Sequence, residues 1–145
     1  MSKTRIIWSD DDGWPGNEST RVKWLSAVAQ EYHKRIDLLE YYLVSDEELL
    51  AINEQHLRHD DWTDIITFDY SRGSRIRGEI YISRERVQEN ARLYEQTDTV
   101  ELLRVIAHGL LHLCGLKDKS PQEQKQMRDA EERALLEYNK VSRGT

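Results

Sequence analysis

The sequence predicts an α/β (α+β) fold in which a small mixed β-sheet packs against several helices. Three observations lead to this prediction. Short segments rich in β-branched and aromatic residues alternate with segments of helical periodicity up to residue 83, and the remainder of the chain is helical in pattern. With 145 residues, of which a third are charged and few are Gly or Pro, the chain has the size and composition of a folded domain. We therefore expect residues 1–145 to form a single domain.

The first predicted elements alternate between strand and helix. Residues 4–8, "TRIIW", form a short strand that ends at the turn-rich segment "DDDGWPGN". Residues 18–34 carry apolar side chains at intervals of three and four, which predicts a helix. A second strand, "IDLLEYYLV", is predicted over 36–44. The next helix begins with Ser45 and Glu48 at the spacing of a capping box.

Two more strands and three helices complete the predicted order. Residues 63–70 and 77–83 have the composition of neighbouring strands, joined by an exposed connection, "SRGSRIR". Helices are predicted over 84–96, from Asp98 to Gly115 and from Pro121 to about residue 139. For the second helix the sequence suggests Asp98 as cap with Glu101 as its partner. The last helix has a predicted inner stripe of Met127, Ala130, Ala134 and Leu135.

Charge and cysteine content narrow the function classes. The net charge of -6 argues against a protein that coats nucleic acid along its whole surface, although a local basic patch is compatible with it. The single cysteine, Cys114, has no partner for an internal disulfide, which fits a reducing compartment. The sequence shows neither a leader peptide nor an apolar run of membrane-spanning length, so we expect a cytoplasmic protein without a membrane partner.

Two histidines in "AHGLLHLCGLKDK" are the strongest candidate ligands. His108 and His112 are separated by one helical turn, so both side chains project from the same face of an apolar helix. Half-buried histidines with ordinary partners are the alternative, but buried imidazoles need partners and a cation supplies both. In zinc proteases a glutamate follows the first histidine, whereas Gly109 stands here and removes that general base. A glycine also leaves space for a close approach by backbone or substrate.

The third ligand of such a site must come from outside the helix. His33, His56 and His59 lie upstream, and their spacing does not select any of them. Asp118 lies six residues after His112, beyond the helix-ending Gly115, so a short loop can return it to the histidines. Two histidines and one carboxylate leave a fourth zinc position open for water, as in catalytic sites. We therefore predict one Zn²⁺ per chain, held by His108, His112 and Asp118.

Three blocks of the sequence resemble the YbeY family of bacterial endoribonucleases. "HGLLHLCGLKD" at 108–118 is similar to the family signature H-G-x-L-H-L-x-G-x-D-H. "WTDIITF" at 62–68 and "GEIYIS" at 78–83 are similar to the family blocks P-T-D-V-L-S-F and G-D-I-x-I-S. The resemblance extends from about residue 45 to 118. It implies a zincin-like metal site on a central helix and a cytoplasmic, zinc-dependent endoribonuclease that prefers single strands. The implied role is maturation of the 16S rRNA 3′ end, ribosome assembly and rRNA quality control, with the small ribosomal subunit and its assembly factors as partners.

The sequence departs from the family pattern at three positions. Asp118 stands where the family has its third metal-binding histidine. Leu57 stands where the family has a functional arginine, with Arg58 beside it as the candidate substitute. Trp62 replaces a proline of the turn. No general base is evident, so either a zinc-activated water or the RNA 2′-hydroxyl would attack phosphorus.

The basic segment "SRGSRIRGEIYISRER" is the candidate RNA contact. It contains five arginines and two glutamates, a local charge of +3, and Arg72, Arg75 and Arg77 lie in its predicted connection. An ordinary solvated hairpin is the alternative interpretation. Two other functions stay open: a non-catalytic assembly factor that binds RNA or ribosomal protein around a structural metal, and a zinc hydrolase of peptides or small molecules. Gly109 argues against the last of these.

Overall fold

The computed structural model describes residues 3–9, 12–57 and 63–144, with the backbone alone at 56 and 57. Within these residues the order is strand, helix, strand, helix, two strands and three helices, as predicted. A π-helical turn, Asn53–Leu57, follows the second helix. The elements are β1 Arg5–Trp8, α1 Glu18–Glu31, β2 Arg35–Val44, α2 Asp46–Ile52, β3 Ile65–Asp69, β4 Arg75–Ser83, α3 Arg84–Leu93, α4 Asp98–Leu113 and α5 Pro121–Gly144.

The sheet is mixed, which confirms that part of the predicted fold. In the described part of the chain its four strands lie in the order β1-β2-β4-β3. β2 pairs in parallel with both β1 and β4, because helical connections return the chain to the same end of the sheet. β3 pairs antiparallel with β4 through a hairpin, in which Thr67 faces Ile80.

The connection between β3 and β4 is shorter than the sequence pattern suggested, because β4 starts earlier. β4 begins at Arg75 rather than at residue 77, because Arg75 pairs with Arg35 of β2. Arg75 and Arg77 are therefore strand residues, and Arg72 forms an isolated bridge with Arg75 across the turn. The predicted exposed connection is thus a tight turn around Gly73, whose φ is 56°.

The helix caps agree with the sequence in one case and correct it in another. Ser45 and Glu48 form the predicted capping box. The N-cap of α4 is Thr97, not Asp98, since the Thr97 hydroxyl accepts a hydrogen bond from the Val100 amide at 3.1 Å. Glu101, the predicted cap partner, is buried instead. α5 continues to Gly144, past the predicted end near residue 139.

The core lies between the sheet and helices α1, α4 and α5. α4 is the central helix, and Ile106, Leu110 and Leu111 are fully buried in it. The Tyr41 hydroxyl of β2 donates to the Ile106 carbonyl at 2.9 Å, which ties the helix to the sheet. Of the described helices, none combines the length and apolar character needed to cross a membrane. One side of α4 therefore packs against the sheet. The side that carries His108 and His112 faces residues of β3, α3 and α5 across a cavity.

Candidate active site

A cavity of about 380 Å³ opens along the histidine face of α4. Its described walls come from the start of β3, the end of α3, helix α4, the loop after α4, and α5. The volume lies within the range of small-ligand sites. His108, His112 and Asp118 all line it, so the structure places the three predicted ligands around one cavity.

The loop after α4 brings Asp118 back to the helix. Gly115 ends α4 with a φ of 107°, a conformation that favours glycine. The Gly115 and Leu116 amides donate to the carbonyls of His112 and Leu111, which closes the helix end. As a result the Asp118 Oδ2 atom lies 3.3 Å from His108 Nε2.

The structure directly pairs two of the three predicted ligands, His108 and Asp118. His112 lines the cavity but is exposed, whereas His108 is half-buried and paired with Asp118. Across residues 3–9, 12–57 and 63–144 no three His, Cys, Asp or Glu side chains form a group that could hold a metal ion. The predicted zincin-like site on the central helix therefore stays a prediction. The described arrangement is a His108–Asp118 pair with His112 beside it.

Glu131 is a site residue that the sequence reasoning missed. Its Oε2 atom lies 2.6 Å from His108 Nδ1, and the residue is only 8% exposed. Because the carboxylate can only accept, Nδ1 carries the hydrogen and Nε2 faces Asp118. Glu131 falls on the apolar stripe predicted for α5, next to Ala130 and one turn after Met127. A glutamate on the buried side of a helix needs a polar partner, so its position on the predicted stripe was the signal that could have identified Glu131.

Arg104 connects Glu131 to the rest of α4. Its Nη1 atom donates to Glu131 Oε1 at 3.1 Å and its Nη2 atom to Glu132 Oε1 at 2.8 Å. Arg104 Nε lies 3.7 Å from the buried Glu101 carboxylate. The guanidinium thus balances the charge of Glu131 while Glu131 holds the His108 ring. The hydrogen bonds from Arg104 to Glu131 and from His108 Nδ1 to Glu131 therefore fix the orientation of the His108 ring.

Burial and neighbouring charges shift several pKa values in the cavity. Burial by itself lowers the pKa of His108, but the hydrogen bond and charge of Glu131, with Asp118 and Asp64, outweigh burial and raise it. Burial raises the pKa of Asp64 against the opposing effect of His108. Burial also raises the pKa of Glu101, which Arg104 partly offsets. The carboxyl groups around the His108 imidazole therefore favour its protonated form.

Thr63 and Asp64 frame the cavity at the start of β3. The Asp64 carbonyl accepts a hydrogen bond from the Ser83 amide at 2.9 Å, which anchors this turn to β4. The Asp64 Oδ2 atom lies 3.4 Å from the Asn90 side-chain amide of α3. The start of β3 and the end of α3 thus hold one more carboxyl group in the cavity wall.

Gly109 packs directly against the sheet. A Cβ atom at this position would lie 2.9 Å from Ile80 Cδ1 and 3.1 Å from Ile65 Cδ1. The expected close approach is therefore made by two isoleucine side chains of the sheet, not by backbone or substrate. A glutamate at this position, as in zinc proteases, would have to enter that packed layer.

The candidate arginines lie away from the cavity. Arg72, Arg75 and Arg77 belong to the β3–β4 hairpin, and none of them is in the described cavity lining. Arg75 pairs with Asp37 at 3.8 Å. Arg58, the candidate substitute for the family arginine, lies outside the described residues, as do His59 and Trp62. The hairpin therefore presents a separate basic surface.

His33 follows Tyr32, the C-cap of helix α1, and is exposed, outside the described cavity lining. Its φ is 59°, and its amide donates to the Gln30 carbonyl at 2.9 Å. A left-handed conformation costs a non-glycine residue roughly 1 kcal/mol. We expect His33→Gly to raise the free energy of unfolding by about 1 kcal/mol in urea denaturation, and to leave the zinc content unchanged.

The matched control is His33→Ala, which removes the imidazole and keeps the backbone strain. It should show neither the gain in stability nor a change in zinc content. If His33→Ala were stabilised as much as His33→Gly, the left-handed backbone would not be the source of strain. Loss of zinc in either variant would identify His33 as a zinc ligand.

The mixed sheet and the helices packed on it define an α/β protein. The cavity along its central helix α4, lined by histidines and carboxylates, resembles the site of an enzyme. The profile of the Endoribonuclease YbeY family matches residues 16–139, and the chain belongs to this family. Endoribonuclease YbeY of Phocaeicola vulgatus is 49% identical over 112 residues, covering 77% of this chain and 81% of the relative. Endoribonuclease YbeY of Bacteroides fragilis is 48% identical over 114 residues, covering 79% and 82%.

A solved structure agrees with the fold. The solution structure of TM1509 from Thermotoga maritima has a TM-score of 0.64 and 26% sequence identity to this chain. The match covers 97% of this chain and 93% of that one. The family predicted from three sequence blocks is confirmed by the family profile and the two relatives.

Proposed function

We propose that the protein is an endoribonuclease that acts in ribosomal RNA processing. The observation that carries the proposal is His108, held by Glu131 at Nδ1 and facing Asp118 at Nε2 inside a cavity that His112 also lines. Membership of the Endoribonuclease YbeY family supports the same activity. The finer assignment is maturation of the 16S rRNA 3′ end, with single-stranded RNA as substrate and the small ribosomal subunit and its assembly factors as partners.

We further propose that His108, His112 and Asp118 hold one Zn²⁺ per chain. Two imidazoles and a carboxylate are donors that zinc accepts. The Glu131–His108 hydrogen bond supports this assignment, because metal-binding histidines commonly donate their other ring N–H to a carboxylate. When bound, Zn²⁺ would polarise a phosphoryl oxygen and activate water for attack on phosphorus.

The chain's own residues would orient this chemistry. Glu131 and Arg104 keep the His108 ring in one tautomer, so Nε2 stays directed at the cavity. Gly115 and the loop after it hold Asp118 at the same place. Asp64 and Thr63 border the space in which the RNA backbone would lie, and exposed His112 leaves this side open to a polymer.

The test combines metal analysis with cleavage. Wild-type protein is expected to contain about one zinc per chain by elemental analysis and to cut a single-stranded RNA oligonucleotide. Removal of zinc with a chelator should abolish cleavage, and addition of zinc should restore it. Zinc without cleavage would favour the assembly factor with a structural metal. Cleavage without zinc, unaffected by chelation, would refute the metal-dependent mechanism. Hydrolysis of peptides but not RNA would favour the zinc hydrolase.

A further inference from the structure

A second cavity, of about 490 Å³, adjoins the histidine cavity. The two cavities share the walls formed by Tyr94, Glu101, Arg104 and Glu131. Arg128 and Glu132 line the second cavity and not the histidine cavity. Shared walls mean that a chain-like substrate with a phosphodiester at His108 would continue into this neighbouring space.

Tyr94 stands at the junction of the two cavities with its side chain largely free. It is 66% exposed, and it caps the end of α3. Among the described residues no ring packs on it and no group hydrogen-bonds its hydroxyl, whereas most of the other described aromatic rings are paired. Its aromatic face is therefore available to a ligand.

The backbone beneath Tyr94 is firmly placed. The Tyr94 amide donates to the Asn90 carbonyl at 3.0 Å, and the Gln96 amide donates to the Ala91 carbonyl at 2.8 Å. Glu95 between them has a φ of 54°, so the chain turns sharply into the segment before α4. An exposed ring on a fixed backbone is a preorganised surface, because little backbone freedom is lost on binding.

The charges of the second cavity favour a nucleobase over a phosphate of an RNA strand. Its described walls contain two arginines and three glutamates. Arg104 is already engaged by Glu131 and Glu132, so it has little capacity left for a phosphate. A phosphate would meet an excess of carboxylates, whereas a neutral heterocycle would not be repelled. An aromatic platform beside such walls suits a nucleobase.

We propose that Tyr94 is a substrate-positioning residue on which one unpaired base of the RNA stacks, next to the phosphodiester bond held in the histidine cavity. This inference rests on the proposed function and adds a base-binding subsite to it. Stacking on an aromatic ring is tolerant of base identity and requires that the base be unpaired. The subsite therefore gives the site a physical preference for single strands.

The test uses zinc-free protein and a fluorescently labelled single-stranded RNA oligonucleotide, with binding followed by anisotropy. Tyr94→Ala is expected to bind about 5- to 100-fold more weakly than wild type. Tyr94→Phe should bind like wild type because it keeps the ring. Leu93→Ala is the matched control, since Leu93 is the preceding residue, is 68% exposed and lines neither cavity. With zinc restored, Tyr94→Ala should raise KM more than it lowers kcat.

An abasic scan of the same oligonucleotide assigns the contact. In wild type one abasic position should weaken binding, and Tyr94→Ala should lose that position-specific sensitivity. Equal binding by Tyr94→Ala and wild type, an equal loss in Leu93→Ala, or retained abasic sensitivity in Tyr94→Ala would overturn the subsite alone. A wild type that neither binds nor cuts RNA would overturn the proposed function together with the subsite.

Discussion

Asp118→Ala is expected to lose both zinc and RNA cleavage. Its carboxylate lies 3.3 Å from His108 Nε2 and reaches that position only because the loop turns at Gly115. Removal of the proposed third ligand should weaken zinc binding by more than the roughly 10- to 100-fold that loss of an outer partner costs. Zinc content after dialysis and the rate of oligonucleotide cleavage on the same samples measure the effect.

Two variants make the Asp118 result specific. Asp118→His installs the residue that the family signature has at this position, and we expect it to retain zinc and cleavage. Asp129→Ala removes an exposed carboxylate of α5 that does not line the cavity, and it should behave as wild type. If Asp118→Ala kept full zinc, the third ligand would have to be sought elsewhere, beginning with Asp64, a further carboxyl group of the cavity wall whose charge acts on His108.

Glu131→Gln is expected to weaken zinc binding about 10- to 100-fold, the usual effect of losing a carboxylate partner of a metal-binding histidine. Glutamine keeps the size of the side chain but removes the charge that accepts from His108 Nδ1 at 2.6 Å and from Arg104 at 3.1 Å. The His108 ring would then be held less firmly and would be a less basic ligand. Zinc dissociation constants from competition with a coloured chelator measure the change.

Glu132→Gln is the control for the second prediction. Glu132 is the next residue on α5 and accepts from the same Arg104 at 2.8 Å, but its side chain is 57% exposed and it does not line the histidine cavity. It should leave zinc affinity within about twofold of wild type, because exposed ion pairs contribute little. Equal losses in the two variants would mean that Arg104, rather than the Glu131–His108 contact, sets the affinity.

Much of the fold was predictable because its signals are local. The β-branched segments, the helical spacing and the Ser45–Glu48 box each act within a few residues, and the order of elements followed from them. The Asp98 cap was wrong because Thr97 and Asp98 are both competent caps, and the packing of Glu101 into the interior decided between them. The start of β4 was also misplaced, since pairing of Arg75 with Arg35 extends the strand.

The sequence by itself determined the family, the mixed α/β order of elements, and the face on which His108 and His112 lie, because motif spacing and periodicity are properties of short segments. Only the tertiary structure decided that Asp118 contacts His108 and that Glu131, 23 residues after His108 on α5, hydrogen-bonds the same ring. It also decided that Tyr94 lines two adjoining cavities. Those contacts depend on how α3, α4 and α5 pack around the sheet. Helix packing is set by side-chain fit across elements, which no local pattern encodes.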